Sequence, residues 1–323
     1  MKLVSILSPC YNGETYVSRF LDSVLKQDYS NLEVIMVNDG STDNTDNIIK
    51  SYIEKFKKKN INFIYLTQEN SGAAGAINNG LKYVKGEYLT WPDSDDILTP
   101  DSISKKVKFL EDNPQYGFVK TDASIYDEND LNNSIGFLSK KAKSRFNEQL
   151  FEDFIYEKNG VYFAPGCYMV RMSAFLDVNP SRSIYITKGG QNWQMLLPIS
   201  HKYKCGYIDE SLYYYIVRKN SHSHASVGNF EKEIKKIDNY LDILINVLSE
   251  MNLSEKQKDD YIYNLKLRFS RKKIGLARQY KFKKVYFENF CYLKQQNKLP
   301  VRYKIFNYIV KINNHKYFVN EIN

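Results

Sequence analysis

The chain has 323 residues, 43% of them hydrophobic and 26% charged, which is the composition of a folded globular protein and excludes a disordered one. No uninterrupted apolar stretch reaches the roughly 18 residues that a membrane-spanning helix needs, and the short apolar run at the start leads straight into polar residues, which predicts no secretory leader. The four cysteines are widely spaced, without a CxxC pair or a histidine at zinc-finger spacing, so we expect reduced thiols in a cytosolic protein.

The net charge of +9 is concentrated near the end of the chain. Fifteen Lys or Arg residues lie between Lys266 and Lys316, and only Glu288 and Glu321 oppose them after residue 265. The rest of the chain is net acidic. A distribution this uneven predicts a body with one function and a tail that meets an anionic surface.

The first third of the sequence alternates short apolar runs with amphipathic segments. Residues 3–7, 33–37, 61–66 and 87–91 have the character of buried parallel strands, and the first run ends at Pro9. Between them, residues 17–25, a segment that Asp43 can cap and whose apolar face spans 48–56, and residues 73–84 show helical periodicity. This alternation with short connections predicts parallel βαβ units in an open sheet.

The rest of the sequence is less regular until a helical region begins near Phe230. A helix after Asp101 leads to a strand at 118–125, residues 126–160 are polar, and the clearest later strands are 162–170 and 206–217. We therefore predict an α/β domain at residues 1–225, in two halves, 1–125 and 126–225, followed by a basic, mainly helical region at 226–323.

Four polar clusters follow the first four predicted strands, at residues 8–14, 38–43, 69–72 and 93–96. Any one of them alone is typical of a plain turn, because Gly, Asn, Asp and Ser dominate turns. In an open parallel sheet, ligands bind beyond the carboxyl ends of the strands. Four clusters at consecutive strand ends therefore predict one composite site.

The clusters contain side chains suited to a nucleotide and a metal ion. Tyr11 can stack on a flat base, and Asp39 can accept hydrogen bonds from a base edge or a ribose hydroxyl. The closely spaced carboxylates of Asp93, Asp95 and Asp96 form a hard oxygen site suited to Mg²⁺ or Mn²⁺, which stabilises a leaving diphosphate. Neither GxGxxG nor GxxxxGK[ST] follows the first strand, which disfavours a dinucleotide enzyme and a P-loop ATPase.

The ordered motifs SPCYNGETYV, VNDGSTDNT, ENSGAAGAINNGL and DSDD resemble those of family 2 glycosyltransferases. The resemblance is close over residues 1–125 and weaker to residue 225. It implies the GT-A fold, a Rossmann-like open, mostly parallel sheet with flanking helices. It also implies transfer of a sugar, usually with inversion, from a nucleotide-diphosphate donor, with a UDP-sugar as the first expectation.

The resemblance also assigns residues. In the family, the positions matching Pro9, Tyr11 and Asp39 bind the nucleoside, and those matching Asn70 and Asn78 line the donor site. Two acidic residues of the fourth cluster resemble the family's DxD motif. Its members are Asp93 and Asp95, of which Asp95 is expected to hold the metal.

The loop that begins at Arg218 follows a strand rich in tyrosine. Arg218 or Lys219 can hold the diphosphate, and His222 can complete the metal shell; the alternative is a solvated basic loop. We also assign Asn12 and Ser94, from the first and fourth clusters, to the donor site.

The expected catalytic base is missing from its usual place. Many relatives carry an acidic pair at the start of a helix, where one carboxylate removes the acceptor's proton, and Gln191 and Asn192 stand there in this chain. Neither amide takes a proton at neutral pH. Either another carboxylate serves, with Asp96, Asp122 and Glu210 as candidates, or the acceptor needs no base, or the chain is a poor catalyst.

From Lys266 onward, basic residues are interleaved with Tyr, Phe and Ile. Basic amphipathic helices lie on anionic membranes, and relatives commonly glycosylate lipid-linked intermediates at the inner face of the cytoplasmic membrane. We therefore expect a cytoplasmic protein attached peripherally to that face. A helical cap with a solvated basic face is an open alternative, and single-stranded nucleic acid is a third that no recognition module supports.

The leading hypothesis is a metal-assisted glycosyltransferase that builds a surface glycan such as capsule or lipopolysaccharide. The alternative is a nucleotide-sugar-binding protein with weak or lost catalysis that acts as an assembly partner, which Gln191 and Asn192 motivate. A sugar-phosphate nucleotidyltransferase is disfavoured, because the start of the chain has no Gly-rich, Arg- or Lys-bearing loop for a triphosphate.

Overall fold

The structure is a computed structural model that describes residues 1–187, 189–218 and 228–312. The chain divides into two compact units, Met1–Arg218 and Lys219–Asn323. The boundary predicted after residue 225 lies outside the described residues, so the exact domain limits stay a prediction.

The core of the first unit is a sheet that starts with a parallel set of strands. β1 (Val4–Cys10) lies between β2 (Leu32–Asn38) and β4 (Tyr88–Thr90), and β3 (Asn62–Thr67) flanks β2, with every pair parallel. β2 is buried throughout and β1 nearly so, as continuous apolar runs predict. The carboxyl ends of these strands therefore meet at one edge of the sheet.

The second half of the first unit extends the same sheet with strands of both directions. The added strands are β5 (Ile97–Leu98), β6 (Tyr116–Asp127), β7 (Asp130–Phe137), β8 (Tyr168–Arg171) and β9 (Lys204–Val217). β8 joins β4 and β6 in antiparallel fashion, while β9 runs parallel to β6, giving the order β3-β2-β1-β4-β8-β6-β9-β5 with β7 paired to β6. The predicted α/β class with flanking helices is confirmed, with a sheet that is mixed beyond its parallel core.

Helices flank the sheet at the predicted places. The segment predicted as one helix from Asp43 divides at Tyr52 into two short helices, and its first turn is held by Oδ1 of Asp43, which accepts a hydrogen bond of 3.1 Å from the Thr45 amide. The described helices of this unit are α1 (Val17–Leu25), α2 (Thr45–Ser51), α3 (Ile53–Lys58), α4 (Gly72–Leu81), α5 (Ser102–Asp112), α6 (Phe151–Tyr156), α7 (Met172–Val178) and α8 (Gln191–Lys202).

Two strand predictions differ from the structure for physical reasons. β1 continues through Pro9 to Cys10, because β4 pairs only with Val4 to Ile6 and leaves the end of β1 with β2 alone. Pro9 therefore has a neighbouring strand on one side only, and its missing N–H interrupts no pairing with β4. The strand predicted at 162–170 is instead a 3₁₀ turn (Pro165–Cys167) followed by β8.

The polar segment 126–160 contains a strand that the sequence pattern did not indicate. β7 forms a hairpin with β6, with Asp127 opposite Asp130 in the register. Its residues are almost all exposed, and its three apolar residues, Leu131, Ile135 and Phe137, are exposed as well. Backbone hydrogen bonds to β6 form this strand, and these bonds do not depend on its side chains.

The second unit is helical, as predicted. The described helices are α9 (Phe230–Glu250), α10 (Glu255–Gln279), α11 (Lys283–Gln295) and α12 (Val301–Ile312). Its core takes up most of the described aromatic residues that are interleaved with the basic ones: Phe282 stacks on Phe230 at 3.7 Å between ring centroids, and Tyr286 and Tyr303 are buried. None of the described helices combines the length and the apolar character that crossing a membrane requires.

Candidate donor and metal site

The first two polar clusters are joined by hydrogen bonds at the carboxyl ends of β1 and β2. The amide of Asn12 donates to Oγ of Ser41 at 2.9 Å, and Oδ1 of Asn12 accepts from the amide of Thr42 at 2.9 Å. Asn12 has a positive φ of 48°, so it turns the chain at this point. Pro9 is partly buried within β1, while Tyr11 is 40% exposed and free to present its ring to a ligand.

Asp39 connects the second cluster to the third. Its Oδ1 accepts hydrogen bonds from Nε2 of Gln68 at 2.7 Å and from the amide of Ser71 at 2.9 Å, and its Oδ2 accepts from the amide of Gly72 at 2.9 Å. These amides belong to the start of α4, whose unpaired N–H groups need acceptors. The Asp39 carboxylate therefore has a structural role in addition to the nucleoside contact predicted for it, which stays a prediction.

Two further residues of the predicted donor site stand in different surroundings. Asn70 is exposed beside Gly40, whereas the polar atoms of Asn78 are taken up inside the protein. Nδ2 of Asn78 donates to the carbonyl oxygen of Ile184 at 2.7 Å, and its Oδ1 accepts from the Ile184 amide at 2.7 Å. Asn78 thus holds a segment of chain, a role that the motif did not predict.

The fourth cluster brings three carboxylates together after β4. One oxygen from each of Asp93, Asp95 and Asp96 lies within 4.8 Å of the others. Burial and the neighbouring Asp95 carboxylate raise the pKa of Asp93 to about 8, with Arg218 opposing the shift. Ser94, between them, is buried and interacts with the thiol of Cys10.

Arg218 binds the carboxylate that the DxD resemblance assigns to the metal. Its Nε donates to Oδ2 of Asp95 at 2.9 Å, and a terminal nitrogen donates to the same oxygen. The guanidinium lies over the ring of Tyr16, 4.2 Å from its centroid, and Arg19 donates to the backbone oxygen of Asp95 at 2.8 Å. Arg218 therefore lies at the acidic cluster, within reach of the position predicted for the diphosphate.

Asp96 is the most buried of the three carboxylates. Its Oδ1 accepts a hydrogen bond of 2.7 Å from the amide of Ile216, and the Tyr213 hydroxyl interacts with the same carboxyl group. Burial and the charges of Asp95 and Asp93 raise the pKa of Asp96 well above its ordinary value. The Tyr213 hydroxyl lies close by, and burial and the Asp96 charge raise its pKa too.

This cluster fits a divalent cation. It offers a close group of hard oxygen ligands, and a cation would favour the charged carboxylates that burial disfavours. Asp93 and Asp95 would hold the ion, and Arg218 would have to share or release Asp95. Lys219 and His222 lie outside the described residues.

At the start of α8, Asn192 is tied into the protein rather than open to solvent. Its Oδ1 accepts a hydrogen bond of 3.0 Å from Nε1 of Trp91, and its Nδ2 donates one of 2.8 Å to the carbonyl oxygen of Phe163. Trp91 immediately precedes the fourth cluster, so this bond connects α8 to the acidic residues. Gln191, the first residue of the helix, is partly exposed and follows Gly190, which has a φ of 76°.

The three carboxylates considered as the base lie in different surroundings. Oδ1 of Asp122 accepts from the amides of Ala123 at 2.7 Å and Ser139 at 2.8 Å, so this side chain holds the segment after β7 to β6. Glu210 is exposed and paired with Lys105. Asp96 is the candidate that lies within the acidic cluster.

Sequence reasoning missed three participants: Arg19, Tyr213 and Trp91. Trp91 and Tyr213 lie in predicted strands, and Arg19 lies in a predicted helix. None of them belongs to a polar cluster that would indicate a site. Trp91 ends the fourth apolar run two residues before Asp93, and that adjacency was the one signal available.

Curated relatives match about a third of the chain. An uncharacterized glycosyltransferase of Rickettsia typhi is 43% identical over 108 residues, which is 33% of this chain and 32% of that protein. The putative teichuronic acid biosynthesis glycosyltransferase TuaG of Bacillus subtilis is 41% identical over 108 residues, 33% of this chain and 42% of TuaG. The matched region therefore spans less than half the length of these relatives.

Two solved structures share the fold over most of the chain. S. aureus TarS 1-349 in complex with UDP-GlcNAc superposes with a TM-score of 0.62 at 21% identity, covering 94% of this chain and 82% of that one. The mannosyltransferase PcManGT from Pyrobaculum calidifontis, in complex with GDP-Man and Mn²⁺, has a TM-score of 0.56 at 15% identity, covering 98% and 82%. At such identities the likeness shows the fold alone.

The family itself is identified by a match over more than half of the sequence. Residues 5–178 match Glycosyl transferase family 2, a range that includes all four polar clusters. Together with the fold, which the solved structures share, this confirms the resemblance seen in the motifs. The chain belongs to glycosyl transferase family 2.

Proposed function

We propose that this chain transfers a sugar from a UDP-sugar to a hydroxyl of a growing, lipid-linked surface glycan, with inversion at the anomeric carbon. The observation that carries the proposal is the cluster of Asp93, Asp95 and Asp96 at the carboxyl edge of the parallel strands, with Arg218 beside it. Tyr11, exposed at the same edge, supplies a surface for the base. The UDP-GlcNAc and UDP complexes of TarS, and the name of TuaG, support the donor and glycan classes.

The proposed roles divide along the cluster. Pro9, Tyr11, Asn12 and Asp39 hold the nucleoside, and Arg218 steadies the diphosphate. Asp93, Ser94 and Asp95 line the diphosphate side, together with Asn70. Mg²⁺ or Mn²⁺, when bound there, stabilises the leaving diphosphate.

Asp96 is proposed as the proton acceptor, because it is the candidate carboxylate that lies in the acidic cluster, beside the two aspartates that would hold the ion. Gln191 is left to orient the acceptor at the start of α8. Both polar atoms of Asn192 are engaged inside the protein, so we assign it to positioning α8.

The site of action is proposed to be the inner face of the cytoplasmic membrane. From Lys266 onward, eight described basic residues are exposed: Lys266, Arg278, Lys281, Lys284, Lys294, Lys298, Arg302 and Lys304. Charges of this sign attract anionic lipids. The helical cap with a solvated face remains the alternative to membrane attachment.

A second candidate is a nucleotide-sugar-binding protein with little catalysis, favoured by the amide at position 192 that is fixed by Trp91. Both candidates are tested by incubating the protein with a panel of UDP-, GDP- and TDP-sugars and Mn²⁺, and measuring nucleotide release and binding by calorimetry. Release of UDP that disappears in Asp95→Asn supports the enzyme. Tight binding without release, even with glycan acceptors present, supports the binding protein, and no binding of any nucleotide rejects both.

A further inference from the structure

The segment that leads into α8 is fastened to the protein by side-chain amides at three successive residues. The N–H and C=O of Ser183 bind Oδ1 and Nδ2 of Asn179 at 3.2 and 3.0 Å. Those of Ile184 bind Asn78 at 2.7 and 2.7 Å. Those of Tyr185 bind Oε1 and Nε2 of Gln194 at 2.6 and 2.9 Å.

Each carboxamide thus makes the pair of hydrogen bonds that a neighbouring antiparallel strand would make with one residue. Three elements supply the three amides: Asn179 follows α7, Asn78 lies in α4, and Gln194 lies in α8. Six hydrogen bonds at three consecutive residues leave the backbone little freedom. The segment is therefore a fixed strap rather than a free loop.

The side chains that this strap displays differ in burial. Ile184 is 7% exposed and packs into the core, whereas Tyr185 and Ile186 are 50% and 57% exposed. Single exposed apolar side chains are ordinary on protein surfaces. These two differ because they are adjacent and because their backbone is already ordered, so a ligand that covers them loses little conformational entropy.

The strap is connected to the acidic cluster by a short series of contacts. Tyr185 binds Gln194, and Asn192 in the same helix accepts a hydrogen bond from Trp91, two residues before Asp93. On its other side the strap is held by α4, whose first turn is capped by Asp39. The strap is thus bound to α8 through Gln194, and α8 begins with Gln191, the residue assigned above to the acceptor.

We propose that Tyr185 and Ile186 form an acceptor-binding surface on which the apolar face of the acceptor's sugar ring stacks. This rests on the proposed function, since only a transferase needs a second sugar there. An aromatic ring beside an aliphatic side chain offers a flat apolar surface with one polar hydroxyl at its edge, which suits a pyranose that has C–H groups on its face and hydroxyls around its rim. Asn78, Asn179 and Gln194 act as positioning residues, because they contact the strap and not the sugar.

The test measures transfer to glycosides separately from transfer to water. Wild-type protein, Tyr185→Ala, Tyr185→Phe and Ile186→Ala are assayed with the UDP-sugar that the wild type hydrolyses fastest and with a panel of p-nitrophenyl hexosides and N-acetylhexosaminides. The matched control is Tyr83→Ala, another exposed tyrosine, 40% exposed, which follows the end of α4 distant from Asp39. Thermal unfolding of every variant establishes that it is folded.

For Tyr185→Ala we expect the KM for the glycoside to rise about tenfold, as the loss of one stacking contact predicts, and donor hydrolysis to stay within about twofold. Tyr185→Phe, which keeps the ring, should restore the glycoside KM, and Tyr83→Ala should match the wild type. An unchanged glycoside KM in folded Tyr185→Ala, or an equal fall in donor hydrolysis, overturns the proposal. Wild-type protein that hydrolyses the donor but glycosylates no member of the panel also overturns it and spares the proposed function, whereas failure to bind any donor removes both.

Discussion

The indole nitrogen of Trp91 and Oδ1 of Asn192 are joined by a hydrogen bond of 3.0 Å, at a position where many relatives carry a carboxylate. The amide nitrogen of the same side chain donates to the carbonyl oxygen of Phe163 at 2.8 Å. An asparagine satisfies one donor and one acceptor at once, which an ionised aspartate does not. The position is therefore matched to its neighbours in this chain.

Restoring the carboxylate should accordingly harm the protein. In Asn192→Asp the second oxygen would face the Phe163 carbonyl with no hydrogen between them, so we expect the free energy of unfolding at neutral pH to fall by about 1–3 kcal/mol and turnover to fall as well. At low pH the protonated carboxyl can donate to that carbonyl, so the deficit should shrink as pH falls. Urea unfolding between pH 4 and 8 measures it; a variant that is faster and equally stable would mean that the side chain turns toward the acceptor.

The bond between Arg218 and Asp95 predicts competition with a metal ion. Arg218→Met frees Oδ2 of Asp95 and removes a positive charge from the cluster, so Mn²⁺ should bind the nucleotide-free protein several-fold more tightly. With Mn²⁺ present, UDP should bind more weakly, because the diphosphate loses a cationic partner. Titration calorimetry with Mn²⁺ alone and then with UDP checks both, with Asp95→Asn as the variant that should lose metal binding. Unaltered Mn²⁺ affinity in Arg218→Met contradicts the competition.

The sequence predicted the parallel core well because its information is local. Four apolar runs with polar ends indicate buried parallel strands, and their topology then places the four clusters at one edge without further knowledge. Pairing beyond residue 100 depends on contacts that no window of sequence contains. β7 is almost entirely exposed, and position 166 requires a glycine because the ring of Tyr213, far away in sequence, leaves no room there for a Cβ atom.

The sequence predicted which residues belong to the site, but not which hydrogen-bond partners their side chains have. Asp93, Asp95 and Asp96 are adjacent in sequence, so their cluster followed from spacing alone. Arg218 binds Asp95 and Ile216 binds Asp96, each from more than a hundred residues away in sequence. Asn78 binds Ile184 across a similar separation. Motifs give a residue's identity, whereas hydrogen-bond partners across the fold decide what its side chain is free to do.

Asn78 is the residue for which the motif and the structure predict different results. If it positions the strap, Asn78→Ala leaves the N–H and C=O of Ile184 without partners and should lower the free energy of unfolding by roughly 1–3 kcal/mol, with a higher glycoside KM and unchanged UDP affinity. If it contacts the donor, UDP-sugar affinity should fall instead. Urea unfolding and calorimetry with the UDP-sugar separate the two, with Lys82→Ala, at an exposed position at the end of α4, as the control.

Lys106 predicts a pH dependence of stability. It is fully buried, with Nζ donating to Oγ of Ser102 at 3.0 Å and to the carbonyl oxygen of Gly166 at 2.5 Å, and burial lowers its pKa from 10.5 to about 8. Between those two values the unfolded chain holds a proton that the folded chain has released, so stability should rise with pH, by roughly 3 kcal/mol at most. The gain should be absent from Lys106→Met, measured by urea unfolding from pH 7.5 to 10.5. Parallel curves for the two proteins would contradict it.

The basic residues of the second unit predict a salt-sensitive attachment to anionic membranes. Lys281 and Lys284 are exposed, and each basic residue near such a surface contributes about 1 kcal/mol at low salt, which screening over about 8–10 Å reduces. The aromatic residues Phe282 and Tyr286 beside them pack in the core, so they add no insertion, and charge should carry the attachment.

We therefore expect the protein to sediment with phosphatidylglycerol vesicles at low salt, to be released for the most part at high salt, and to ignore phosphatidylcholine vesicles. Reversing both charges, Lys281→Glu with Lys284→Glu, should weaken binding about tenfold or more. The control Lys58→Glu with Lys59→Glu changes the net charge equally on exposed residues of the first unit and should bind as the wild type does. If the control loses as much affinity as the test pair, attraction follows net charge rather than the second unit. If the intact protein ignores anionic vesicles even at low salt, the helices are a structural cap and the enzyme reaches its acceptor by another route.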